Sequence, residues 1–148
     1  MKTEVAAIAE PALRLSHRFW QAGACWLNEN YHRSRGEWSM ARDFSDRGLA
    51  ISPNDFRLLT TRALLDYETG AFEQGGMRLE QLVEVIRMTP PGAAPEYSFT
   101  AMVIPIAASI SGDTRLFDSA RTAAQCVLST RGATPIACLL SRVGLAMI

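Results

Sequence analysis

Few side chains in this sequence have the chemistry of catalysis or metal binding, and their spacing matches no common site. His17, Cys25 and His32 fall on one predicted helix at spacings of eight and seven residues. Zinc sites use three or four ligands in close pairs such as C-x-x-C or H-x-x-x-H. Cys126 and Cys138 lie twelve residues apart on different predicted helices, where cysteine commonly acts as a small core residue. The sequence therefore predicts no metal site.

Two pairs of carboxylates have the residue types of general acid–base catalysis. Asp66 and Glu68 are two positions apart and so face different directions on a helix. Asp43 and Asp46 are three apart, a spacing that is common on solvated helix faces beside arginines. No serine lies in a nucleophile elbow, and no glycine-rich loop ends in Gly-Lys-Ser or Gly-Lys-Thr. We therefore predict no enzyme and no cofactor. An enzymatic or small-molecule-binding domain is the weaker alternative and requires convergent polar groups around a pocket.

The elements that position these residues are predicted to be repeated helices. A glycine, an aromatic residue two positions later and a small residue three further on recur after 34 positions: Gly36, Trp38 and Ala41, then Gly70, Phe72 and Gly75. This period is typical of helix-turn-helix units that bury their apolar faces by stacking on a neighbour. The predicted fold is therefore all-α, with about seven helices in antiparallel hairpins stacked as a right-handed solenoid.

The periodicity of apolar residues also places the individual helices. The chain is predicted to form one domain over residues 1–148, with hairpins at about 11–51, 55–88 and 95–129 and an unpaired helix at 134–148. Helix caps are expected at Asn54 or Asp55, at Asp113 or Thr114, and at Thr134. Pro105 is expected to kink the fifth helix or to force a local repair.

The repeat also predicts which residues pack closely. Ala41, Gly48 and Gly75 are expected where helices approach each other, because a larger side chain would overpack the interface. Trp38 is expected to be buried, and Phe19 is expected on the buried face of the first helix.

The residues of the first repeat resemble a known family. The segment from Gly36 to Asp55, GEWSMARDFSDRGLAISPND, resembles the second half of a tetratricopeptide repeat. The segment from Ser52 to Gly112 resembles the repeat region of large bacterial signalling proteins, where such an array follows an ATPase region beside a LuxR-type DNA-binding or nucleotide-cyclase domain. The resemblance implies a regulatory scaffold. It implies no ATP hydrolysis or DNA reading, because the motifs for both are absent from this sequence.

A scaffold of this kind is expected to bind a protein or peptide. Stacked hairpins line a groove mainly with the first helix of each pair. The groove residues predicted from the first two hairpins are Asn30, Arg33, Arg57, Thr60, Leu64 and Tyr67. The open alternative is that Arg33 and Arg57 are ordinary solvated charges and that Tyr67 closes its hairpin.

The last predicted helix has an apolar face and no following helix to cover it. The residues of this face are Ile136, Leu139, Leu140, Val143 and Met147. Such an edge is typical of the interior of an array, which indicates either a piece of a longer polypeptide or contact with a second copy of the chain. A structural spacer or dimerisation element is therefore the second function class.

The charge balance argues against two classes of partner. Lysine plus arginine equals aspartate plus glutamate at 15 each, which removes the electrostatic basis for non-specific binding to nucleic acid or to anionic membranes. No uncharged apolar run is long enough to cross a bilayer, and Glu4 and Glu10 interrupt the start of the chain. The sequence predicts a cytoplasmic protein.

Overall fold

The structure is a computed structural model that describes residues 18–90 and 94–148. These residues form seven helices and no strand: α1 Arg18–Ser34, α2 Trp38–Ile51, α3 Phe56–Glu68, α4 Phe72–Arg87, α5 Ala94–Ser111, α6 Phe117–Ser129 and α7 Pro135–Ala146. The all-α class and the predicted number of helices are thus confirmed for the described part of the chain. The predicted helix start at Pro11 lies outside it.

The helices pack as hairpins that contact one another in sequence order. α1 packs on α2, α3 on α4, and α5 on α6. The first helices of the hairpins also pack side by side, α1 on α3, α3 on α5 and α5 on α7, and we call them the first-helix row. Each second helix (α2, α4 and α6) contacts the next first helix along the chain. This is the order of contacts that stacked hairpins require, whereas the right-handed sense of the stack stays a prediction.

The turns of the first two hairpins have the same backbone geometry. Gly36 and Gly70 take positive φ angles of 71° and 80°, a region that glycine occupies without a steric penalty. In both turns the glycine N–H donates to the carbonyl three residues back, and the next N–H donates to the carbonyl five residues back. The two turns are therefore equivalent, as the recurrence after 34 residues predicts.

The third hairpin has a longer step. Its turn glycine, Gly112, has a φ of 77° and follows Gly70 by 42 positions (112 − 70 = 42). The predicted cap at Asp113 or Thr114 is wrong, because α6 begins only at Phe117. The Asp113 carboxylate instead accepts from the Arg115 N–H within the loop, at 3.0 Å. The caps expected at Asp55 and Thr134 are both formed.

Small residues lie where helices meet, as the repeat predicts. Ala41 is completely buried. A Cβ atom at Gly48 would lie 2.8 Å from Leu58, and one at Gly75 would lie 2.7 Å from the ring of Tyr67. Both distances are too short for a real contact, so these helices approach as closely as they do because the side chains are absent.

Two aromatic residues expected in the core are not buried. Trp38 is 43% exposed and Phe19 is 53% exposed. Trp38 is the first residue of α2, and its indole lies beside Gly36, where an added Cβ would be 3.9 Å away. It therefore covers the turn. Phe19 packs edge-on against Trp20, which is also exposed.

α5 and α7 meet at an unusually close contact. α5 runs through Pro105, which has no N–H to donate to the carbonyl of Ala101, four residues back. Gly144 of α7 packs against that same carbonyl, because a Cβ atom at Gly144 would lie 2.1 Å from the Ala101 oxygen. A glycine Cα–H directed at a carbonyl oxygen is a weak hydrogen bond. Here it partly replaces the bond that proline removes.

We predict that Gly144→Ala destabilises the protein. The added methyl group would clash with backbone atoms of α5, which cannot rotate away, so overpacking should cost about 1 to 3 kcal/mol. The urea midpoint of unfolding measures this cost. Gly76→Ala is the matched control, since its Cβ would lie 3.8 Å from the Tyr67 hydroxyl, and alanine is favoured over glycine in a helix by about 1 kcal/mol. A Gly144→Ala protein with the wild-type midpoint would contradict the close contact.

Candidate partner-binding face

One side of α5 is left open by its neighbours. α3 and α7 flank α5 within the first-helix row, and α4 and α6 pack on it from the second helices. Phe99, Met102, Ile106 and Ile110 follow one another at spacings of three, four and four, so they share one side of the helix. All four are apolar and at least partly exposed. They mark the side of α5 that no other helix covers.

The same positions recur on α1 and α3. Counted back from Gly36, Gly70 and Gly112, positions 13, 10 and 6 are Gly23, Trp26 and Asn30, then Arg57, Thr60 and Leu64, then Phe99, Met102 and Ile106. We call these nine residues, together with Ile110, the first-helix face. All except Thr60 are partly or largely exposed. The face therefore extends across three neighbouring helices.

Aromatic side chains link these helices at one end of the face. The guanidinium of Arg57 lies 4.7 Å from the ring centroid of Phe19 and 5.9 Å from that of Trp26, which joins α3 to α1. The rings of Phe56 and Phe99 meet edge-on with centroids 5.5 Å apart, which joins α3 to α5. Such cation–π and edge-to-face contacts fix both helices relative to α3.

The charge of Arg57 is compensated locally. Its Nε and Nη2 atoms donate to the two carboxylate oxygens of Asp55, at 3.0 and 2.6 Å. The Asp55 carboxylate also caps α3 by accepting the Arg57 N–H. Arg57 was predicted as a groove residue. It does lie on the first-helix face, as part of an ion pair with a structural role.

Burial removes two of the other predicted groove residues from the surface. Thr60 is 1% exposed and Tyr67 is 4% exposed, so neither is accessible to a partner. The Tyr67 ring covers Gly75 across the hairpin, which means that it closes the hairpin, the alternative that the sequence left open. Asn30 and Leu64 are partly exposed, and the Asn30 amide donates to the Trp26 carbonyl at 2.8 Å.

Arg33 and Glu68 form an ion pair between α1 and α3. The Arg33 Nε lies 3.8 Å from a carboxylate oxygen of Glu68, and both side chains are partly exposed. The pair lies at the opposite end of the two helices from the aromatic contacts. Arg33 is thus paired rather than an isolated solvated charge.

Sequence reasoning missed the residues that contribute most apolar surface. Phe99, Met102 and Ile106 were assigned to the core because their spacing is that of a buried stripe, and the third hairpin was not aligned because its step is 42 residues rather than 34. Counting back from Gly112 would have matched them to Arg57, Thr60 and Leu64. Trp26 would likewise have been matched to Thr60.

A buried carboxyl group lies between α1 and α3. Glu29 is completely buried, and one of its oxygens accepts a 2.7 Å hydrogen bond from the Thr61 hydroxyl. Its other oxygen has no hydrogen-bond partner in the protein. Burial raises the pKa of Glu29 to about 8, an effect that the Thr61 hydrogen bond and the charges of Arg33 and Arg62 only partly offset. Glu29 is therefore largely protonated at neutral pH.

An ion-pair network beside Glu29 ties α2 to α3. Arg62 is buried and pairs with Asp66 at 3.1 Å and with Asp46. Arg42 of α2 donates to the same Asp66 carboxylate at 2.9 Å and to the Thr69 hydroxyl at 3.1 Å. The carboxylates considered for acid–base chemistry are thus bound to arginines. Their arrangement holds the first hairpin on the second.

Neither metal binding nor membrane crossing finds support in the described part of the chain. Its histidine, cysteine and acidic side chains do not gather in groups of three or more that would hold a metal ion. Between residues 18 and 148, apart from the undescribed 91–93, no helix has both the length and the apolar character needed to span a bilayer. The three cysteines form no disulfide.

The predicted edge residues on α7 are mostly exposed. Ile136 is 66% exposed and Leu139 is 59% exposed, and Val143 and Met147 are also largely open to solvent. Leu140 is the exception, since it is only partly exposed. The opposite side of α7 is buried through Ala137, Ser141 and Gly144.

The raised pKa of Glu29 predicts a loss of stability with rising pH. The unfolded chain releases this proton near its ordinary pKa of 4.5, whereas the folded chain releases it near 8. The Glu29 contribution is therefore complete below pH 4.5 and falls until about pH 8, by about 3 to 5 kcal/mol. Urea unfolding across this range should show the fall in wild type and a flatter profile in Glu29→Gln. Glu84→Gln, on the exposed side of α4, is the control that should keep the wild-type slope. Identical profiles for wild type and Glu29→Gln would contradict the prediction.

Comparisons of this chain with protein-family models, with curated proteins and with solved structures gave no match. The functional argument therefore rests on the residues of the first-helix face and of α7.

Proposed function

We propose that this protein is a non-catalytic scaffold that binds a protein or peptide partner through the first-helix face. One observation carries the proposal: partly exposed apolar side chains occupy the same positions on neighbouring helices, where a monomer gains nothing by exposing them. A tetratricopeptide-like array with a regulatory role in the cytoplasm belongs to the same proposal. The absence of disulfides fits a reducing compartment.

The distribution of charge supports this assignment of the binding side. α5 contains a single charged residue, Glu96, among 18 residues. The second helices carry the charges instead, for example Glu73, Glu80 and Arg87 on α4. Completing the burial of an apolar side chain contributes up to about 1.5 to 3 kcal/mol, so several side chains on α5 together can hold a partner. The solvated second helices offer no comparable surface.

We expect acidic substitutions on the first-helix face to abolish partner binding. Ile106→Asp and Ile110→Asp each place a carboxylate where the partner would cover it, at a cost typical of the residues that dominate an interface, about 2 kcal/mol or more. The measurement is affinity capture with the tagged chain, followed by mass spectrometry. Met77→Asp is the control, because Met77 is an exposed apolar residue on α4. Partners that persist with both α5 variants, or that are lost with Met77→Asp, would exclude this face.

A second candidate function is that of a spacer or dimerisation element. The observation that favours it is the exposed apolar row on α7, formed by Ile136, Leu139, Val143 and Met147. A second copy of the chain or the continuation of a longer polypeptide would bury this row. The two functions are compatible, since α7 lies at the end of the first-helix row.

For this second function we expect a concentration-dependent dimer that a single charge weakens. Leu139→Lys should shift the chain toward monomer, because Leu139 faces outward whereas Leu140 is partly buried. Light scattering across a range of concentrations measures the change, with Met77→Lys as the control. A wild-type chain that stays monomeric at high micromolar concentration would exclude self-association through α7.

A further inference from the structure

The first-helix face presents little uncompensated charge to a partner. Arg57 is neutralised by Asp55 through two hydrogen bonds, and Arg33, beside the face, is paired with Glu68. The remaining residues of the face are uncharged. Charged side chains on a partner would lose hydration here without gaining an opposite charge. The face therefore disfavours acidic and basic peptides equally.

The face also lacks polar groups for recognising an extended backbone. The Asn30 amide donates to the Trp26 carbonyl at 2.8 Å, and the Ser109 hydroxyl, beside Ile106, donates to the Ile106 carbonyl at 2.6 Å. Thr60 is buried. An extended peptide needs hydrogen bonds for its own N–H and C=O groups when it leaves water. A helix satisfies these groups internally and needs only apolar contact.

The dimensions of the face suit a short helix. Phe99 and Ile110 are eleven residues apart on α5, which corresponds to about 16 Å at about 1.5 Å per residue. About three turns of a partner helix cover this length and present apolar residues at i, i+3 or i+4, i+7 and i+11.

On these grounds, and resting on the proposed function, we propose that the partner of the first-helix face is an amphipathic α-helix whose contacting residues are apolar and uncharged. The aromatic contacts around Arg57 and the aliphatic residues Met102, Ile106 and Ile110 form the surface on which this helix lies.

Two displayed peptide libraries test the proposal on the intact chain. One consists of peptides of about 20 residues with helix-forming outer positions and variable residues at i, i+3, i+4 and i+7. The other has the same composition with central prolines, which prevent a continuous helix. Both are selected on wild type, and the affinities of the enriched peptides are measured by fluorescence anisotropy. Circular dichroism reports whether a peptide gains helicity on binding.

We expect enrichment from the helical library alone, with apolar residues at the variable positions. Ile106→Asp and Ile110→Asp should each weaken binding about tenfold or more, while Met77→Asp should leave it unchanged. Raising the salt from about 0.1 to 0.5 M should change the affinity by less than about threefold, because the contact uses no charge pairs.

The other outcomes separate the two proposals. Proline-containing peptides that bind the face and lose affinity with Ile110→Asp would overturn the helical partner and keep the proposed function. Enriched peptides with charged contact residues and strong salt dependence would overturn the apolar partner in the same way. Failure of both libraries to yield a peptide sensitive to Ile106→Asp and Ile110→Asp would count against both proposals.

Discussion

The close approach of neighbouring helices is the constraint on which this structure depends. Gly48, Gly75 and Gly144 each lie where an added Cβ atom would be under 3 Å from a residue of another helix. Interiors at native packing density do not tolerate such overlap. The missing side chains therefore set the distances within the first two hairpins and between α5 and α7. The position of the first-helix row, and with it the spacing of its open face, follows from these distances.

Features encoded within one turn of chain were predictable from the sequence. The Gly36 and Gly70 turns, and the caps at Asp55 and Thr134, depend on residues that are close in sequence. The burial of Glu29 was not predictable, because its environment is made by residues of another helix. Trp38 deviates for a related reason: apolar periodicity identifies a face, but it does not show where a helix-terminal side chain packs.

The candidate site was predicted less well than the fold. A fixed period of 34 residues locates the face on α1 and α3, where Asn30, Arg57 and Leu64 do lie. It fails on α5, where the turn at Gly112 comes later. The structure also reverses the usual expectation for a helix surface, since polar residues such as Arg62 and Asp66 are inside while apolar ones are open. Buried ion pairs of this kind specify one arrangement of helices more than they add stability.

The longer step to the third hairpin bears on how cooperatively the chain unfolds. An open cleft of about 230 Å³ lies between α4 and α6 and is lined by Val83, Ile86 and Ser119 among others. The two halves of the molecule are joined chiefly through the first-helix row, where α3 packs on α5. Amide hydrogens of α5 to α7 are therefore expected to exchange as one unit, separately from those of α1 to α4. A ligand lying across α3 and α5 would bridge that boundary and slow exchange in both halves together.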